Sequence, residues 1–146
     1  MALLHDEAVR TTIEARLDRL RPDTRPRWGK MSVDQMLWHV NQALETDLGR
    51  IEAPFEKSFM PRPVLKFIVL NMPWPKGAPT NNAWVSSSNH DFQTERSRCR
   101  QLMRDLAGKS LDESWPVHPN FGRMSGRDVS RLHAKHLDHH LKQFGA

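Results

Sequence analysis

Wherever the apolar residues of this chain recur regularly, they recur at steps of three and four, and that spacing suits one kind of element, an amphipathic α-helix. Val9, Ile13, Leu17 and Leu20 mark a first helix, with Arg10, Glu14, Arg16 and Asp18 on its other faces. Pro22 and Pro26 end it, because proline lacks the backbone donor and clashes with the preceding turn. Ser32-Val33-Asp34-Gln35 reads as a capping box that opens a second helix with the stripe Val33, Met36, Leu37, Val40 and Leu44, and Gly49 is its stop. The short apolar segment Val64 to Leu70, set among Pro54, Pro61 and Pro63, is read as helix; Met72 to Thr80, with three prolines and a glycine, must be irregular. A long helix is predicted from Ser88 to Ala107, with Phe92, Cys99, Leu102, Met103 and Leu106 on one side and Gly108 after it. The last helix starts at Ser125, paired with Asp128, and runs nearly to the C-terminus.

Long amphipathic helices joined by proline-rich loops imply an all-α fold, a helical bundle around one core. The 146 residues, taken as one unit from 1 to 146, are about one domain's worth of chain. With 38% hydrophobic residues the chain has the apolar side chains that a disordered one lacks. Its longest apolar run, Phe67 to Leu70, falls far short of the roughly 20 residues of a membrane span. The N-terminus has no basic segment followed by an apolar stretch, and Cys99 has no partner for an intrachain disulfide, so a cytoplasmic location is expected. The formal charge of +5 invites a nucleic-acid reading, but the cations alternate with carboxylates as on solvated helix faces. No nucleic-acid-binding signature accompanies them, so that partner is not expected.

The last helix carries the chemistry. His133, His136, His139 and His140 fall within eight residues. At about 100° per residue, and with Val129 at zero, His136 lies near 340°, His140 near 20° and His133 near 40°, while His139 sits apart near 280°. Three imidazoles therefore occupy the seam where leucine is expected. A buried ring without partners costs on the order of 1–3 kcal/mol. A lone histidine there is ordinarily a hydrogen-bonded core residue, but three together call for something that gathers them. A divalent ion does so, since a neutral imidazole is a good ligand for zinc, nickel or iron, and the i, i+4 pair His136 and His140 can converge on one ion. For a third ligand His39, on the flank of the second helix's stripe, is the best candidate. His118, in His118-Pro119-Asn120-Phe121-Gly122, is a rival ligand or a substrate-contacting group, and His5 and His90 are expected to be exposed near segment ends.

One histidine in an early helix, then His-x-x-x-His-x-x-Gln in the last, at His39, His136, His140 and Gln143, resembles the DinB/YfiT-like superfamily. Within it, Trp28 to Ser32, Gln35 to His39, Pro73 to Gly77, His118 to Gly122 and Lys135 to Gly145 resemble a branch known mainly as a domain of unknown function. The resemblance extends over most of the chain from residue 28 onward. It implies a four-helix bundle of up-up-down-down type, often a homodimer, with one metal held by His39, His136 and His140. Residues 54 to 70 have no clear counterpart among its core helices and are expected to be a short helical insertion. Superfamily members include thiol-dependent transferases and isomerases, but the branch implies no substrate.

Three neutral ligands leave an ion its charge and an open position, the catalytic arrangement. The expectation is a metal-dependent hydrolase or thiol transferase acting on a small molecule, with a thiol as the candidate substrate. The alternative is a non-catalytic metal-binding or structural bundle acting through protein contacts. The sequence does not identify the base; Glu45, Glu95 and His118 are candidates, and Cys99 is read as core rather than nucleophile. Trp38, Trp74 and Trp84 are candidates for a substrate pocket with His118.

Overall fold

A computed structural model describes residues 2–146 and is all-helical among them, with five α-helices and no strand. They are α1 (Glu7–Asp18), α2 (Val33–Asp47), α3 (Arg62–Asn71), α4 (Phe92–Gly108) and α5 (Gly126–Gln143), with a single 3-10 turn at Asn82–Trp84. The caps foreseen from sequence are made. A capping box of Ser32 and Gln35 opens α2, the Gln35 side chain accepting the Ser32 amide at 3.1 Å. Ser125 accepts the Asp128 amide at 3.1 Å, and Asp128 returns the bond to the Ser125 amide at 3.2 Å.

Two helices, α4 and α3, differ in extent from the sequence reading. The helix predicted from Ser88 begins at Phe92, because Asp91 is the N-cap and accepts the Thr94 amide at 2.7 Å. The His90 amide is also held by Asp34 of α2 at 2.8 Å, which keeps the preceding residues out of helix. The segment from Val64 to Leu70 is helical, as read, and α3 extends past it at both ends, with Pro63 near its start where a missing amide hydrogen costs nothing.

The core is one connected cluster. Ile13 and Leu17 from α1, Met36, Leu37 and Leu44 from α2, Leu102, Met103 and Leu106 from α4, and Leu132, Leu137 and Leu141 from α5 are all nearly inaccessible. Cys99 belongs to it, fully buried, and burial pushes its thiol up to about 12, which makes it a core residue rather than a nucleophile. Helices α1, α2, α4 and α5 pack on one another, and α3 packs mainly on α5, with a single buried residue, Leu70. Many of the cations are engaged in ion pairs across helices, Arg16 with Asp138, Arg104 with Glu14, Arg100 with Asp18, rather than gathered on one face. No helix among the described residues is long and apolar enough to cross a membrane.

Candidate metal centre

Three histidines from two helices meet inside this core. His39 leaves α2 and His136 and His140 leave α5; they are 2%, 9% and 7% exposed. The His136 Nε2 lies 2.9 Å from the His39 Nε2 and 3.0 Å from the His140 Nε2. One ligand atom from each lies within 4.8 Å of the others, the only such cluster of three among the described residues.

The partners of the outer nitrogens fix the tautomers. His39 Nδ1 faces the Trp84 carbonyl at 3.0 Å and therefore carries the hydrogen, which leaves a lone pair on Nε2. His140 Nδ1 faces the Gln143 Oε1 at 2.7 Å, and Gln143 is oriented by donating its amide hydrogen to the Trp28 carbonyl at 2.9 Å. His140 Nε2 is therefore also a bare lone pair. His136 can supply one hydrogen to one of them, so the cluster is a proton short of satisfying itself. Burial keeps extra protons out: it lowers His39 to about 4 and His140 to about 3, and it holds His136 well below the usual imidazole range. A group of neutral nitrogen donors that cannot be bridged by protons is a donor set suited to a divalent cation. These three residues could hold one.

A cavity of about 390 Å³ opens over the cluster. Trp74, Trp84 and His118 line it, as do His133 and His139. Trp38 does not: it is half-buried on α2 and stacks on His90, with ring centroids 5.1 Å apart. His118 accepts the Asn120 and Phe121 amides on Nδ1 at 3.0 and 3.2 Å, so its hydrogen is on Nε2; burial lowers it to about 4. It stands outside the three-histidine cluster, as a donor rather than a base. Neither carboxylate considered as a base reaches the cavity. Glu95 accepts from Asn41 at 2.8 Å and from Arg98 at 3.2 Å, and Glu45 is paired with Arg98 at 3.5 Å.

Three histidines sit differently from the sequence reading. His139, left outside the seam, lines the cavity beside Trp74, with centroids 5.4 Å apart. His5 is not exposed: its ring bonds Ser130 at 2.9 Å and the Lys109 carbonyl at 2.8 Å. His90 is likewise half-buried under Trp38. Reasoning from sequence missed Asp47, the buried partner of His133 at 2.7 Å. It also missed the use of residues 60 to 80 as the cavity's outer wall. The signal for Asp47 was its place three residues past Leu44 in α2, an acid carried toward the core side. For the wall, Leu65, Ile68 and Val69 stand at helical spacing and Trp74 was a pocket candidate, but nothing marked which surface that helix and the loop after it would cover.

Fold and site define a class: an all-helical protein with a buried three-histidine cluster beneath a cavity. Within it, this chain belongs to the family described as protein of unknown function (DUF1569), whose model matches residues 4–146. No curated protein and no solved structure matches it.

Proposed function

We propose that the protein is a metal-dependent enzyme, a hydrolase or thiol transferase, built as a four-helix bundle of the DinB/YfiT-like kind from α1, α2, α4 and α5, with α3 as the insertion. The observation that carries the reading is the convergence of three Nε2 atoms, two of them with lone pairs fixed inward by the Trp84 carbonyl and Gln143. His39, His136 and His140 would hold the ion. Imidazole ligands suit zinc, nickel and iron alike. When bound, the ion supplies Lewis acidity at neutral pH.

The chain's own residues do the rest. Gln143 and Trp84 hold two ligand rings in one tautomer, the role that outer partners play around catalytic metals. His118 presents an Nε2 hydrogen from the cavity wall to an acceptor on a bound small molecule. Asp47 holds the His133 Nε2 and so turns that ring's Nδ1 into an acceptor, a second polar group of the wall. Trp74 and Trp84 set indole rings beside the site, with centroids 5.8 Å from His136 and 6.5 Å from His39. A homodimer, implied by the resemblance, belongs to the same proposal and is read by sedimentation.

The test is elemental analysis of untagged protein beside His39→Ala, His136→Ala and His140→Ala variants. Near-stoichiometric metal in the parent and its loss in each variant is the expected outcome; equal metal in all four proteins overturns the reading.

A further inference from the structure

The wall of the cavity carries information on what it takes. Among the described residues that line it there is no Lys, Arg, Asp or Glu. Apart from the cluster, the lining includes aliphatic and aromatic side chains: Leu65, Ile68 and Val69 of α3, Trp74 in the loop after it, and Phe121 and Leu132. Lys76 lies over the Trp28 ring at 5.0 Å, and Lys135 bonds the Val69 carbonyl at 2.7 Å and lies over the Trp74 ring at 5.3 Å, without itself lining the cavity. Asp47, the partner of the lining residue His133, is buried and bonded to it.

From this we infer that the ligand is a mainly apolar small molecule, uncharged along the hydrocarbon part that lies against α3 and Trp74, whose polar end faces His118 and the histidine cluster. The inference deepens the metal-enzyme reading and rests on it for the chemistry at the polar end. The physical reason is asymmetric. An apolar tail in this cavity gains the transfer free energy of each methylene it removes from water. An ionised group placed against α3 and Trp74 would lose its hydration and find no opposite charge on that part of the wall, and a buried charge without a partner is strongly disfavoured; only at the histidine cluster would the proposed ion meet an anion. A volume of about 390 Å³ is toward the small end of ligand cavities, about 300–1,000 Å³, so the ligand is compact.

The geometry also says where selectivity is set. Ile68 faces the cavity yet is 39% exposed, so a polar residue there changes the wall without opening the core. The experiment uses chelator-treated protein titrated with 1-butanol, 1-hexanol and 1-octanol, and with octanoate as the charged counterpart. The indole N–H resonances of Trp74 and Trp84 report binding, and Trp115, which does not line the cavity, is the control. We expect affinity to rise about fourfold per added methylene, octanoate to bind at least about tenfold more weakly than 1-octanol, and Ile68→Asp to remove the chain-length dependence while circular dichroism stays unchanged. If Ile68→Asp perturbs the fold, Ile68→Ala is expected to flatten the dependence. Affinity independent of chain length, or octanoate binding as well as the alcohol, overturns the inference. A zinc-loaded arm with octanohydroxamic acid separates it from the parent reading: alkanol binding as expected, with no gain from zinc, leaves the cavity assignment standing and removes the metal.

Discussion

Gln143 stands between two hydrogen bonds that decide which nitrogen of His140 faces the cluster, donating to Trp28 and accepting from the ring. Gly29 makes room for it: its φ of +81° is a glycine conformation, and a Cβ there would lie 2.8 Å from the Gln143 amide nitrogen. Losing an outer partner of this kind typically costs ten- to a hundredfold in metal affinity, so Gln143→Ala should weaken zinc binding by about that factor in a competition titration with little change in helix content. Proton linkage is a second consequence. His39 and His118 are lowered to about 4 and His140 to about 3, so between those values and about 6.5 the unfolded chain binds protons that the folded chain refuses. Metal-free protein should therefore lose stability as pH falls from about 6.5 toward 4, by up to about 1.4 kcal/mol per pH unit for each such ring, and be most stable above that window. Urea midpoints at several pH values measure this, and His118→Gln should make the slope shallower.

At the scale of the helix, α5 depends on its first turn. The Ser125 and Asp128 box starts it, and Gly126 lies so close to the preceding loop that a Cβ would meet the Leu111 carbonyl oxygen at 2.3 Å and the Trp115 Nε1 at 2.5 Å. Backbone cannot yield as a flexible side chain can, so Gly126→Ala should destabilise the protein by roughly 1–3 kcal/mol despite alanine's better helix propensity. A fall in the thermal midpoint checks it; an unchanged or raised midpoint contradicts the close approach. The same helix shows how far sequence reaches. Its start, and the common seam of His133, His136 and His140, follow from caps and rotation alone. The start of α4 did not, because a long-range bond from Asp34 to the His90 amide competes with the helix that the local sequence allows.

Across the whole molecule, the apolar core and the histidine cluster are adjacent but distinct. Leu37, Leu44, Met103, Leu106 and Leu141 are fully or nearly fully buried without any contribution from an ion. Chelation of the loaded protein should therefore lower the thermal midpoint through lost binding energy while far-ultraviolet circular dichroism at room temperature stays unchanged. Unfolding on chelation would mark a structural site instead. The sequence by itself determined the helices, most of their ends and the shared face of His136 and His140, because periodicity and capping act between residues a few positions apart; for the third histidine it offered His39 with His118 as a rival. Tertiary structure alone decided that Asp47 backs His133, that Trp38 turns to His90 while Trp74 and Trp84 face the cluster, and that residues 60 to 80 close a wall over it. Those contacts join segments far apart in the chain, and no local pattern encodes which surface an irregular, proline-rich stretch will cover.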